Sequence, residues 1–182
     1  MKVLVIPTWY PSGEDKLMGA YHKEFTNALN KNGIEADMLY IERERLSKPL
    51  KYLFLKKKYI EHEKNYNVYK YRMLNYAPIN FDLEIKKYTN KLLKSVKEYI
   101  RKNGKPDILH AQVILPAGYA TYIVGKKLNI PVVVTEHCGN IERFFKPPLN
   151  KYTNEMINNV EFTTVSKYMQ DIALKYVPKC EV

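Results

Sequence analysis

The titratable pair Glu136–His137 stands directly after an apolar run and is the first candidate for chemistry. The run Pro131–Val134 is a proline followed by three valines, which is typical of a parallel strand buried on both faces. In an open α/β sheet, ligands bind outside the carboxyl ends of the strands. The stretch Pro131–Asn140, in which Glu136, His137 and Cys138 follow the strand, is therefore a candidate site.

A second set of polar residues belongs to the predicted strand Asp107–Ala111, in which His110 lies and after which Gln112 follows. If this strand and the valine strand are parallel neighbours, His110, Glu136, His137 and Cys138 converge at one edge of the sheet. We do not expect a metal there, because the sequence has no H-E-x-x-H motif, no paired C-x-x-C and no third firm ligand.

Nucleophilic catalysis has little support in the sequence. There is no G-x-S-x-G elbow, and Cys138 and His137 are neighbours on a strand, so they point to opposite faces. The two other histidines, His22 and His62, lie in polar helical contexts and are expected at the surface.

The elements that must position these residues begin with a β-α-β unit. Lys2–Ile6 predicts a buried strand, Gly19 precedes an amphipathic helix that ends at Gly33, and Ala36–Ile41 predicts a second strand. A glycine at a helix N-terminus can bring backbone N–H groups and the helix dipole to a phosphate. On local grounds, Gly19 more simply lets the chain turn into the helix. The dinucleotide fingerprint and the P-loop motif are both absent.

The rest of the chain continues as alternating strands and helices. Tyr66–Met73 alternates in polarity and predicts a half-exposed strand near a sheet edge. Asp82 is the expected cap of a long helix, and Ser166 the cap of a later one. The remaining predicted elements are a helix over Pro116–Leu128, a strand over Val160–Thr164 and a strand that starts at Pro178. The fold class is therefore α/β with a mostly parallel central sheet.

The chain carries 30 Lys and Arg residues against 19 Asp and Glu residues, a net charge of +11. This charge indicates a nucleotide, phospholipid or nucleic-acid partner, or a solvated lysine-rich surface. Within the irregular stretch Arg43–Ile60, the segment Lys48–Lys58 is basic and amphipathic; it fits an anionic membrane surface or, more simply, a solvated connecting helix. Two cysteines and no signal peptide or apolar span predict a reducing, cytoplasmic setting.

Several segments, read in order, resemble the N-terminal domain of family-4 retaining glycosyltransferases of GT-B fold. The segments that carry the resemblance are the opening strand with Trp9-Tyr10-Pro11, then Gly19 and its helix, PDILHAQ at Pro106–Gln112, IPVVVTEH at Ile130–His137 and TVSKYM at Thr164–Met169. The sequence departs from the family pattern at Met18, where a glycine is often found, and at Gln112, where a second histidine is usual.

The resemblance implies a Rossmann-like domain with helices on both faces of the sheet, spanning residues 1–182 as one domain. It implies that Gly19 approaches the donor diphosphate, that His137 is catalytic and faces the reacting sugar, and that Ser166 caps a helix lining the cleft. His110, Gln112 and Glu136 would bind substrate.

The resemblance also implies the partners. They are a nucleotide sugar as co-substrate, a saccharide or lipid-linked acceptor and a C-terminal donor-binding domain that this sequence does not contain, and the reaction would need neither cofactor nor metal. We expect cell-surface polysaccharide or glycolipid synthesis in the cytoplasm, with peripheral contact at the inner face of the membrane, and no nucleic acid. The alternative is a non-catalytic basic domain that binds nucleic acid or another polyanion.

Overall fold

The computed structural model describes residues 1–11, 15, 17–47, 49–177 and 179–180. Lys48 of the basic segment, Gly13 of the first loop, and Pro178, Glu181 and Val182 of the expected last strand lie outside these ranges. The strands are β1 (Lys2–Pro7), β2 (Glu35–Glu44), β3 (Lys58–His62), β4 (Asn67–Leu74), β5 (Ile108–Gln112), β6 (Val132–Glu136) and β7 (Glu161–Thr164). The helices are α1 (Ala20–Lys31), α2 (Pro49–Phe54), α3 (Phe81–Asn103), α4 (Tyr119–Leu128), α5 (Asn150–Ile157) and α6 (Lys167–Ala173).

The seven strands form one sheet in the order β3-β4-β2-β1-β5-β6-β7. Every neighbouring pair is parallel except β3 and β4, which are antiparallel at one edge. The strand order runs outward from β1 in both directions, so β1 and β5 flank a switch in topology. In sheets of this kind, a crevice opens at the carboxyl ends of those two strands. The predicted α/β fold with a mostly parallel sheet is confirmed.

Helices cover both faces of the sheet, as expected. On one face, Phe25 and Leu29 of α1 pack against Val3, Val5 and Met38 of β1 and β2. The side chains that alternate with these along β1 and β2 point to the opposite face, because successive strand residues face opposite ways. On that face they meet α3 and α4; the packed residues include Leu4, Leu39, Tyr88, Leu92, Ala120 and Val124.

The strand β4 lies next to the sheet edge, as predicted, but it is more buried than expected. The strand Tyr66–Met73 was expected to be half exposed, but β4 lies between β2 and β3, and even Lys70 is only 6% exposed. The edge position is taken by β3, whose first three residues belong to the stretch Arg43–Ile60 that was expected to be irregular. Its residues alternate between exposed and partly buried, and a short, polar strand of this kind is a usual way to close a sheet edge.

The helix ends follow the expected chemistry at most positions. The Ser166 hydroxyl accepts a hydrogen bond from the Met169 backbone N–H at 3.3 Å, which confirms Ser166 as an N-cap. The cap of α3 is Asn80 and not Asp82, because the Asn80 side chain accepts from the Leu83 N–H at 2.8 Å. Among the described residues, no helix combines the length and the apolar character needed to cross a membrane.

Candidate functional site at the carboxyl edge

The carboxyl ends of β1, β5, β6 and β7 lie side by side. The strand registers pair Pro7 with Gln112, Gln112 with Thr135, and Glu136 with Thr164. Since β1 leads through a loop to α1, the N-terminus of α1 arrives at the same edge, beside the topological switch. The predicted residues from four separate segments are therefore neighbours in space.

His137 lies just beyond β6 and contacts both predicted and unpredicted residues. Its Nε2 forms a hydrogen bond with the side-chain oxygen of Gln112, which fixes the ring across the ends of β5 and β6. The ring also lies against Tyr21 of α1, with centroids 4.6 Å apart, and edge-on to His22 at 5.2 Å. The side chain stays partly accessible to solvent at this edge of the sheet.

The surface prediction for His22 is wrong, whereas that for His62 is confirmed, although His62 lies on β3 and not on a helix. His22 is 0% exposed and its ring packs 4.1 Å from Tyr21. Neither ring nitrogen of His22 nor the Nε2 of Gln112 makes a hydrogen bond of good geometry with a described residue. Gln112 is nevertheless close enough to offset part of the fall in the His22 pKa.

His110 is held within a chain of hydroxyl groups across three strands. Its Nε2 lies 2.7 Å from Thr135 Oγ1, which in turn lies 2.8 Å from Thr163 Oγ1. Phe25 of α1 meets the His110 ring edge-on, with centroids 5.0 Å apart. His110 thus lies in the same layer as His22 and His137, between the sheet and α1, and its Nε2 is already bonded to protein.

Glu136 holds the ends of β5 and β6 together; we call it the Glu136 clamp. It is 0% exposed; one carboxylate oxygen accepts from the Ile114 N–H at 2.7 Å, and the other from the N–H groups of His137 at 2.8 Å and Cys138 at 2.6 Å. Burial raises the pKa of the Glu136 carboxyl, and the three N–H donors oppose that rise. The expected direct contact of Glu136 with substrate does not fit its placement, because the carboxylate is sealed behind the loop that carries His137.

Gly19 forms the N-terminal end of α1 in the left-handed region, at φ 76°. A Cβ on Gly19 would lie 2.8 Å from the Trp9 carbonyl oxygen, so only glycine fits between the helix and the Trp-Tyr-Pro segment. Upstream, one carboxylate oxygen of Asp15 accepts from the Leu17 and Met18 N–H groups, each at 3.0 Å. Among the described residues, no side chain caps α1; the Ala20 N–H donates to the Leu17 carbonyl and the His22 N–H to the Gly19 carbonyl, each at 3.1 Å. The helix dipole favours a negative charge at this end.

The remaining candidates, Ser166 and Cys138, have structural surroundings that do not place them at the centre of the site. Ser166 follows β7 at the same edge, but its hydroxyl is engaged in capping α6. Cys138 is a partly buried residue in the loop after β6 and is a free thiol. Within the part of the chain that the structure describes, no three His, Cys, Asp or Glu residues are placed to hold a metal ion. The clustered histidines are spread along a layer of the fold and do not surround a common point.

The three histidines of this layer, one fully and two partly buried, lead us to expect a fold that is less stable in acid. Burial lowers the pKa of His22 to about 3 and those of His110 and His137 to about 4. A histidine in the unfolded chain titrates near about 6.5. As the pH falls from about 6.5 towards 4, the unfolded chain binds protons that the folded chain excludes, so the free energy of unfolding decreases. From urea midpoints measured across this range, we expect an uptake of roughly two to three protons on unfolding near pH 5.

Two substitutions check the origin of this dependence. His22→Phe keeps an aromatic ring in the buried position and should reduce the proton uptake by about one. His62→Gln, at an exposed position of β3, should leave the uptake unchanged. Equal uptake by the His22→Phe variant and the parent chain would show that His22 is not buried in the neutral form.

The comparisons with known proteins agree with this geometry. The family model described as Glycosyltransferase Family 4 matches residues 18–182. A Bacillus subtilis (strain 168) protein, named as a candidate teichuronic acid biosynthesis glycosyltransferase, TuaC, is 27% identical over 151 residues. The match covers 78% of this chain and 37% of the relative, so the chain spans well under half of that protein.

Solved structures show the same fold at low sequence identity. A sucrose-phosphate synthase structure from Thermosynechococcus elongatus aligns with 100% of this chain and 87% of its own, with a TM-score of 0.63 and 13% identity. The Arabidopsis thaliana UGT89C1 structure complexed with UDP aligns with 97% of this chain and 47% of its own (TM-score 0.56, 10% identity). A UDP-GlcNAc 2-epimerase from Methanocaldococcus jannaschii aligns with 96% of this chain and 42% of its own (TM-score 0.54, 16% identity).

These structural likenesses concern the fold alone, since a synthase, an epimerase and a UDP-bound protein share it. They place the sheet among the Rossmann-like domains of GT-B proteins. The family match is stronger evidence of relationship than the shared fold, because it covers nearly the whole chain. It begins just before Gly19 and includes the strand ends and Ser166. The chain belongs to glycosyltransferase family 4.

Proposed function

We propose that this chain is the acceptor-binding, N-terminal half of a sugar-nucleotide-dependent retaining glycosyltransferase of the hexosyltransferase type. The observation that supports this most is the meeting of Gly19, Gln112 and His137 at the carboxyl edge of a family-4 chain. A second, donor-binding domain would close over that edge, and this half alone would not turn over. The product would be a cell-surface polysaccharide or glycolipid, made at the cytoplasmic face of the membrane.

His137 is the proposed catalytic group, and its surroundings explain how it would act. Burial keeps the ring neutral, and the Gln112 oxygen accepts from Nε2, so the proton resides on Nε2 and Nδ1 remains an acceptor. A neutral, oriented imidazole at a crevice can accept a hydrogen bond from a sugar hydroxyl and stabilise developing positive charge without moving. Gln112 positions that ring, and Glu136 positions the loop beneath it.

The phosphate end of the donor would lie at the N-terminus of α1. Gly19 allows the Trp-Tyr-Pro segment and the helix to approach closely, and the dipole of α1, which no described side chain caps, favours a diphosphate at this end. No metal is needed in this proposal, because helix N–H groups and the second domain would share the negative charge. Ser166 would support the far wall of the cleft through α6, and His110 would support the histidine layer from below.

A groove of about 640 Å³ on the α1 face of the sheet is the proposed seat of the acceptor. It begins at Tyr10 and Pro11, in the loop after β1, and it is lined by three tyrosine rings and three ion pairs. The lining residues are Tyr10, Pro11, Lys23, Tyr40, Glu42, Tyr59, Glu61, Glu63, Lys70 and Arg72. Aromatic faces beside balanced charges suit a neutral, hydroxyl-rich saccharide better than a polyanion.

The experiment is a transfer assay on the protein encoded by the complete gene, read past Val182. A panel of nucleotide sugars is offered with saccharide and lipid-linked acceptors, and the product is analysed by mass spectrometry and NMR. We expect one donor to be used without added metal and the new bond to keep the anomeric configuration of the donor. An inverted product would refute the retaining mechanism. No transfer, together with steeply salt-dependent binding to nucleic acid, would favour the polyanion-binding alternative instead.

A further inference from the structure

Two large apolar side chains stand exposed at the end of α2. Leu53 is 66% exposed and Phe54 is 89% exposed. They are consecutive, and after Leu55 come the exposed lysines Lys56, Lys57 and Lys58. Adjacent exposed apolar residues beside basic ones are unfavourable in water alone but typical of segments that contact the interface of an anionic bilayer.

A basic pocket lies beside this segment, against α3. Its volume is about 320 Å³, and its lining includes Tyr52 of α2 and the lysines Lys87, Lys91 and Lys94. Spacings of four and three residues place these lysines on one face of α3. No ion pair joins any of the three to a described residue.

The acidic residues nearby are already paired elsewhere. Glu98 pairs with Lys58 and Lys102, while Glu42 and Glu44 both pair with Arg72. Burial and the charges of neighbouring lysines lower the pKa of Lys91, which Glu98 only partly offsets. With no described ion pair at these three lysines, the pocket keeps a positive charge, and Tyr52, which lines it, directly precedes the exposed Leu53 and Phe54.

We propose that the α2–α3 surface, defined by Leu53, Phe54, Lys87, Lys91 and Lys94, docks the protein on an anionic phospholipid bilayer. The lysines contact headgroup phosphates, and Leu53 and Phe54 enter the interfacial layer. A nucleic acid could use the same lysines but would leave Leu53 in water, so the observations favour the bilayer. This surface would act whether or not the proposed transfer reaction is correct.

The placement of the α2–α3 surface relative to the candidate site bears on how an acceptor would reach that site. α2 follows the carboxyl end of β2, and the pocket is also lined by residues at the carboxyl end of β4. The α2–α3 surface therefore lies at the carboxyl edge of the sheet, where His137 also lies. A lipid-linked acceptor would be presented to the crevice from the bilayer on which the protein rests.

The test is co-sedimentation of the 182-residue chain with vesicles of phosphatidylcholine alone or with phosphatidylglycerol added. The α2–α3 surface predicts binding to the anionic vesicles at low salt, weaker binding at high salt and little binding to phosphatidylcholine. Leu53→Ser with Phe54→Ser, and separately Lys87→Gln with Lys94→Gln, should each weaken binding about tenfold or more. All four positions are exposed, so the fold should persist in both variants, as circular dichroism would check.

A control variant removes two positive charges, as the Lys87→Gln and Lys94→Gln pair does, but at a distant position. Lys126 and Lys127 are exposed at the end of α4, at the opposite edge of the sheet, and Lys126→Gln with Lys127→Gln should bind as the parent does. The proposal is overturned if anionic vesicles do not bind, if this control weakens binding as much as the α3 pair, or if the apolar pair has no effect. Binding to a nucleic acid that the apolar pair does not affect, without vesicle binding, would identify the surface as a polyanion site.

Discussion

Gly19→Ala is expected to lower the free energy of unfolding by about 3 kcal/mol and to disrupt the α1 side of the site. The φ of 76° adds strain for any residue with a Cβ. In addition, the new Cβ would lie 2.8 Å from the Trp9 oxygen and 2.9 Å from its carbonyl carbon, so a stretch of backbone must move. Because Tyr21 and His22 follow within the first turn of α1, that movement displaces the residues that pack on His137.

Gly33→Ala is the matched control for this change. Gly33 ends the same helix at a similar φ of 78°, but nothing lies within 4 Å of the position of a Cβ. It should therefore lose only the strain of the left-handed backbone, about 1 kcal/mol. Urea unfolding of the two variants separates strain from steric overlap. Equal losses would mean that the Trp9 contact does not constrain residue 19.

Glu136→Ala is expected to destabilise the fold by about 3–5 kcal/mol, because it strands three backbone donors. The N–H groups of Ile114, His137 and Cys138 all bond to the Glu136 carboxylate, which is 0% exposed. Solvent that enters the resulting space would recover part of the loss. The stability of Glu136→Gln should lie between those of the parent chain and Glu136→Ala. One amide oxygen replaces two carboxylate oxygens, and the new NH₂ group faces a backbone donor.

Glu161→Ala serves as the control, as Glu161 is exposed at the start of the neighbouring strand β7. A surface change of this kind should stay within about 0.5 kcal/mol. Chemical denaturation gives the stabilities, and hydrogen exchange at the amides of Ile114, His137 and Cys138 locates the effect. If these amides keep their protection in Glu136→Ala, then the carboxylate is not their acceptor.

The sequence predicted the strand ends well because their signals are local. The run Pro131–Val134 and the following polar residues indicate both a buried strand and the place where it stops, and β6 ends at Glu136. Gly19 and Gly33 mark the two ends of α1 for the same reason. Since parallel strands share one carboxyl edge, correct strand ends were enough to bring Gln112 and His137 together.

His22 was misplaced because its immediate neighbours are polar, although a signal for its burial exists. His22, Phe25, Thr26 and Leu29 follow the spacing i, i+3, i+4 and i+7, which is the buried stripe of a helix. A histidine counted as apolar would have completed that stripe, and His22 and Thr26 are both 0% exposed.

Other features depend on contacts that no local pattern contains. The Glu136 clamp needs the N–H of Ile114, which is 22 residues away and reaches it only after β5 and β6 have paired. The edge strand β3 is short, and every second residue is exposed, so its tertiary pairing with β4 determines it more than its own composition does.

The most direct test of the account is the rate of sugar transfer by the complete protein with His137→Ala, compared with His62→Ala. Both changes remove one imidazole, but His62 lies exposed on β3, away from the crevice. We predict that His137→Ala lowers kcat about 10²-fold with the fold intact, while His62→Ala leaves it unchanged. Equal kcat values for the two variants would contradict the assignment of the reaction to the carboxyl edge.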